Sequence, residues 1–142
     1  MELKNHIIVC GFGIVGEKVC EVLKENGKEF IVIEIDPKKV EKLKEKKINY
    51  IIGDATSQKV LKAAGVENAK AIVTAIDDDV KNLFIIILSK ELNKDIIIAS
   101  RVNSEEALEK IRAAGASITV MPEYSAAKEL SREIAKRYLK PW

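Results

Sequence analysis

The chain has 142 residues, 47% of them hydrophobic and 32% charged, and its 24 Lys and Arg against 22 Asp and Glu leave a net charge of +2. That size suits one domain able to bury roughly 70% of the surface its unfolded chain exposes, and the composition excludes a disordered chain and gives no sign of a general nucleic-acid binder. The longest unbroken apolar run, Leu83 to Leu88, has six residues against the ~20 needed to cross a bilayer, so no membrane insertion is expected.

The elements alternate in kind along the chain. His6–Cys10 is a short apolar run, and Val15, Val19, Val22 and Leu23 then mark a helix that Asn26-Gly27 closes. Phe30–Ile35 is the second strand pattern; Asp36 caps and Pro37 opens a second helix. Asn49–Ile52 is the third strand, followed by a helix opening at Thr56 or Ser57 and ending at Gly65. Ala71–Ala75 leads to a helix from Asp78/Asp79 to about Asn93, and Ile96–Ala99 to a helix that starts at Asn103, with Glu106 completing a capping box, and stops at Gly115. Ser117–Val120 is the sixth strand, and a last helix runs from about 123 to 139. Strands alternating with helices predict an α/β, Rossmann-like, doubly wound six-stranded parallel sheet in one domain over residues 1–142, with right-handed crossovers.

Some features read as structural. Lys38, Lys39, Lys42, Lys44, Lys46 and Lys47 are interrupted by Glu41 and Glu45 at helical spacing, as on a solvated helix face. Cys10 and Cys20 belong to no CxxC or Cys/His pattern and are expected as buried thiols; no metal site is expected. The single histidine, His6, begins the first strand, at the edge of the sheet opposite the ligand edge, as a structural or surface residue. "MELKNH" leads straight into a strand, so no signal peptide is expected and the chain is placed inside the cell.

The chemistry concentrates in Gly11-Phe12-Gly13-Ile14-Val15-Gly16, a G-x-G-x-x-G between a strand and a helix. Gly11 permits the tight turn, Gly13 lets phosphate oxygens approach the backbone, and Gly16 lets the helix pack on the sheet. Unpaired N–H groups opening that helix then face the pyrophosphate. Glu34 follows Gly16 by 18 residues at the end of "FIVIE", with Asp36 on the same face. A carboxylate there accepts ribose hydroxyls and repels a 2′-phosphate, which favours NAD or a plain adenine nucleotide over NADP, although Lys38 and Lys39 lie close by. No Tyr-x-x-x-Lys pair follows the fourth strand and no nucleophile–base arrangement is visible. The acids of "GDAT" (53–56) and "IDDD" (76–79) suit helix capping or ribose binding. A sensor is favoured over an enzyme.

In order, "NHIIVCGFGIVG", "IEID", "GDAT", "AIDDDVKN", "IASRVN" and "IRAAGASITVMPE" resemble the successive segments of the nucleotide-binding lobe of RCK/KTN (TrkA-N) domains, regulators of potassium channels and transporters. The resemblance implies that Gly11, Gly13 and Gly16, with the Ile14 and Val15 amides, hold phosphates. It implies that Glu34 binds the adenosine ribose with Asp36 nearby, that Asp54 and Ala55 flank the adenine, and that Ala75, Ile76 and Asp77 line the distal half of the ligand. Arg101 resembles a basic residue facing phosphates or a partner subunit; an ion pair with Asp77 or Asp79 is the alternative. The implied ligand is NAD or NADH, with ADP, ATP or AMP as alternatives.

Two departures from the family pattern matter. Ile14 stands where many members carry arginine, which removes a phosphate contact, and Ala99, Ser100 and Arg101 stand where calcium-binding members have acids. The resemblance further implies a cytoplasmic homodimer, in some cases a ring, attached to a membrane-embedded channel or transporter, with the last helix at the dimer interface. "NLFIIILSKEL" and the stripe Ala127, Leu130, Ile134 and Tyr138 are the surfaces suited to this. "LKNHIIVCG" resembles the junction where a channel linker meets such a domain, so a segment cut from a longer protein is expected. The competing readings are the NAD-binding part of an oxidoreductase and a nucleotide-binding appendage of an unrelated enzyme such as a phosphoesterase.

Overall fold

The computed structural model describes residues 3–138. Six strands, β1 (Ile7–Cys10), β2 (Phe30–Glu34), β3 (Tyr50–Ile52), β4 (Ala71–Thr74), β5 (Ile97–Arg101) and β6 (Ile118–Val120), form one sheet. Its order is β3-β2-β1-β4-β5-β6 and every pairing is parallel. The helices between them are α1 (Ile14–Glu25), α2 (Val40–Glu45), α3 (Gln58–Ala63), α4 (Asp79–Leu92) and α5 (Glu105–Ala114), and α6 (Pro122–Tyr138) follows β6. Position 139, the predicted end of the last helix, lies outside the described residues.

Alternation along the strands splits the core between the two faces of the sheet. Ile8, Cys10, Ile31, Ile33, Ile72 and Ile98 pack with Leu61 of α3, Ile85 and Ile86 of α4 and Ile111 of α5. Val9, Phe12 and Val32 pack with Cys20 of α1, Leu43 of α2 and Ile48. Both cysteines are free and buried. His6 is buried as well; its Nε2 lies 2.8 Å from the Ala64 carbonyl, and its ring sits so close to Gly65 that a Cβ there would lie 2.9 Å from Cε1.

Capping follows the sequence reading at most termini. Asp36 accepts from Lys38 N and Pro37 opens a 3-10 turn that runs into α2; Ser57 caps α3 and Asp78 caps α4. Gly65 and Gly115 end their helices at φ +77° and +130°. One cap differs. Ser104, not Asn103, caps α5, accepting from Ala107 N, so the Asn103/Glu106 box does not form. The reason is competition: Asn103 donates its side-chain amide to Asp77 (2.7 Å), accepts from Arg101 Nε (3.1 Å), and gives its main-chain N–H to Asp79 (2.8 Å).

Two helices carry apolar surface that the other described residues leave uncovered. On α4, Ile85 and Ile86 are buried while Val80, Phe84 and Ile87 are exposed. On α6 only Ala135 is buried, and Leu130, Ile134 and Tyr138 are 68%, 54% and 79% exposed. Among the described residues no helix is long and apolar enough to cross a membrane.

Candidate functional site

β1 and β4 are neighbours, but the chain leaves them in opposite directions along the sheet, toward β2 and toward β5. Their following loops therefore diverge and open a crevice at the carboxyl edge. A cleft of about 610 Å³ occupies it.

The glycine loop forms one wall. Gly11 has φ +98°, and a Cβ there would lie 3.1 Å from Ile76 Cγ1 and 3.3 Å from the Ala75 main chain. Gly13 is the residue before α1, with no side-chain cap on that terminus, so first-turn N–H groups stay open toward the cleft. A Cβ on Gly13 would meet no protein atom within 4 Å, so the protein itself makes no steric demand for glycine there. Gly16 does the reverse: its added Cβ would fall 1.9 Å from the Gly11 carbonyl oxygen. Of the thirteen residues singled out from the sequence, Gly16 alone does not line the cleft. It sits beneath the loop and lets α1 approach it.

Glu34 is only 8% exposed. Its Oε1 accepts from Phe12 N (2.7 Å) and its Oε2 from Asp36 N (2.8 Å). An ionised carboxylate has about four lone-pair sites, so each oxygen retains acceptor capacity toward the cleft. Asp36 faces the same space while its Oδ1 caps Lys38 N. Asp54 accepts from the Thr56 hydroxyl (2.7 Å) and N–H (2.9 Å); these bonds, with Lys81 nearby, hold its carboxyl below the usual range.

Ala75, Ile76, Asp77 and Arg101 form the opposite wall. Arg101 Nη2 lies 3.1 Å from Asp77 Oδ1, so its acidic partner is Asp77; Asp79 instead accepts from Asn103 N and the Ser104 hydroxyl. Ile14, Val15 and Ala55 complete the predicted set along the cleft. Lys39, noted in the sequence as lying close to the ribose acid, also lines the cleft, as do Lys81, Pro122 and Glu123, which sequence reasoning missed. Lys81 and Glu123 each fall in the first turn of a helix that follows a strand, a position that faces the ligand edge in this fold. Among the described residues, no three His, Cys, Asp or Glu side chains cluster as a metal site.

Residues 7–122 match the family model of the TrkA-N domain. Potassium channel protein 1 of Methanocaldococcus jannaschii is 36% identical over 133 residues, covering 92% of this chain and 40% of that protein. Probable potassium channel protein 2 of the same organism is 37% identical over 123 residues, covering 84% and 36%. The chain thus spans two fifths or less of the length of these relatives. The TrkA-N domain of the inner membrane protein ybaL from Escherichia coli superposes with a TM-score of 0.89 at 25% identity, covering 94% of this chain and 99% of that one. The fold is shared with the NAD(P)-binding domain of an exopolyphosphatase-related protein from Archaeoglobus fulgidus (TM-score 0.83, 23% identity, 94% and 99% covered). It is shared too with the GsuK channel bound to NAD (0.82, 21%, 90% and 23%). With a family match running from the first strand to the start of the last helix, this chain belongs to the TrkA-N domain family.

Proposed function

We propose that this chain is a nucleotide-sensing regulatory domain of a potassium channel or transporter, on the cytoplasmic side of the membrane, that binds NAD or NADH without consuming it. The observation that carries the reading is the convergence, in one cleft, of an uncapped helix N-terminus, an open Gly13 and the braced Glu34 carboxylate. Phosphates sit on the amides of Gly13, Ile14 and Val15, the adenosine ribose on Glu34 with Asp36, the base near Asp54 and Ala55, and the distal half along Ala75, Ile76, Asp77 and Arg101. Ile14 at the cleft mouth supplies no charge for a terminal phosphate, which favours a dinucleotide over ATP. ADP and AMP are the next candidates.

Several groups that could react are engaged structurally instead. Asp36, Asp54 and Asp78 are occupied as caps or turn acceptors, both thiols are buried in the core, and His6 is bonded to Ala64 at the far end of β1. The output runs through shape. Pro122 and Glu123 wall the cleft at the start of α6, whose apolar stripe is exposed. We assign that stripe, with the exposed face of α4, to contacts between copies in a homodimer or ring. A ligand that fits one placement of α6 better than another shifts the population by its differential affinity, typically ~1–3 kcal/mol of coupling.

Mass spectrometry of ligand released from the purified chain, with calorimetry against NAD, NADH, ADP, ATP and AMP, tests this. Binding of at least one, lost with Glu34→Ala, is expected; silence toward all five removes the proposal. NAD-dependent turnover of a small substrate by this chain would instead favour the oxidoreductase reading.

A further inference from the structure

Past Ala75, whose N–H still donates to Cys10 O (2.9 Å), the cleft wall at Ile76 and Asp77 has no main-chain hydrogen bond among the described residues. Its support is a side chain. Asn82, one turn into α4 and 0% exposed, donates from Nδ2 to Ile76 O (2.7 Å) and accepts at Oδ1 from Ile76 N (3.3 Å). The same Nδ2 lies 3.4 Å from Arg101 O at the end of β5. One buried amide thus pairs with Ile76 as a neighbouring strand would, and joins the ends of β4 and β5 to α4. Ile76 in turn abuts the glycine loop, since a Cβ on Gly11 would lie 3.1 Å from its Cγ1. Asn82 itself does not line the cleft, whereas Ile76 and Arg101 both do.

We propose that Asn82 is a positioning residue of the nucleotide site, setting the distance of the Ile76–Asp77 wall from the glycine loop and the placement of Arg101. The inference rests on the cleft being the nucleotide site argued above. The position needs a donor and an acceptor on one short planar group, which asparagine supplies. Aspartate keeps the shape but loses the donor, and turns a carboxylate toward two carbonyl oxygens. Alanine leaves the Ile76 N–H and carbonyl without partners.

The test measures NAD affinity (or that of whichever of the five nucleotides the wild type binds most tightly) by calorimetry from pH 8 down to 5. Asn82→Asp is expected to bind about tenfold more weakly at pH 8. Its affinity is expected to recover toward pH 5, where a protonated carboxyl can again donate. The other charged groups around this wall, Asp77, Asp78, Asp79, Lys81 and Arg101, are common to both proteins, so their pH effects appear in the wild type too, and the recovery is read as the ratio of the two affinities. Asn82→Ala is expected to lose about tenfold at every pH and carries the test if Asn82→Asp does not fold. Asn93→Ala is the control: it removes side-chain bonds from the other end of α4 to Val66 O (3.0 Å) and Ala69 O (3.1 Å), outside the cleft lining. It is expected to lower the unfolding temperature while the folded protein keeps its affinity. Wild-type affinity in both Asn82 variants across the range overturns the positioning role and leaves the nucleotide reading intact. A wild type that binds none of the five removes both.

Discussion

The main-chain N–H of Phe12, inside the glycine loop, donates over 2.7 Å to Oε1 of Glu34 at the end of β2. The residue expected to read the ribose is therefore also a brace for the phosphate loop, and ligand contacts at one end bear on the other. Glu34→Ala leaves the Phe12 and Asp36 donors without their acceptor, at a cost of about 1–3 kcal/mol each where water cannot replace it. Calorimetry should show at least a tenfold loss of nucleotide affinity, together with a lower melting temperature.

The glycines of the loop separate by role. Gly16→Ala forces a Cβ to 1.9 Å from the Gly11 carbonyl, and denaturant unfolding should report a loss of about 3 kcal/mol, the upper end of ordinary overpacking. Gly13→Ala meets no protein atom, and its φ of −82° suits any residue. Its stability should stay within about 1 kcal/mol of the parent, while nucleotide binding falls because the methyl occupies the phosphate approach.

Acid should weaken the fold through Glu17 and Asp54. The hydrogen bond from Lys42 (2.9 Å), with the charges of Lys42, Lys46 and Lys18, holds the Glu17 carboxyl below its ordinary 4.5; Thr56 does the same for Asp54 below 3.8. A depressed folded-state pKa contributes stability that is present above the ordinary value and lost as pH falls through the lowered one. Urea midpoints should drop between about pH 5 and pH 3. Glu17→Gln should flatten that slope, and high salt should flatten it further.

Both thiols should be silent in the native protein. Burial pushes Cys10 and Cys20 up to about 12, and the thiolate is the reacting species. An aromatic disulfide reagent at pH 8 should report no thiol until denaturant is added, and then two per chain. Prompt reaction of one thiol in the native state would show that its helix opens locally.

Association should depend on α6. Leu130→Glu with Ile134→Glu places charges on its exposed apolar stripe. Sedimentation should show a dimer for the parent chain and monomers for the variant, with an unchanged melting temperature at low concentration. An unaltered dimer would transfer the interface to Val80, Phe84 and Ile87 of α4.

The architecture was legible because its signals are local. Val9 and Val32 occupy alternating positions of short β-branched runs, Val15 and Val19 recur at helical spacing, and Asp36-Pro37 and Gly65 punctuate the chain within a few residues. The tight turn at Gly11 was legible for the same reason, since a backbone with φ above zero there is a property of that residue.

What the residue string left open was settled between distant positions. Asn103 and Ser104 are both good caps, and the choice went to Ser104 because Asp77, 26 residues away, and Arg101, at the end of the preceding strand, already hold Asn103. Arg101 had two acids within reach in sequence terms, and the β4–β5 register decided for Asp77. Lys39 faces the cleft out of a lysine run, and Asn82 is buried where a charged first turn of α4 gives way to an apolar run. By itself the sequence determined the sheet, its order and the edge at which the cleft lies, because periodicity, caps and glycines act over a turn or two. Only the tertiary structure decided which polar groups meet at that edge, because a hydrogen-bond partner is won by geometry among residues the chain keeps far apart.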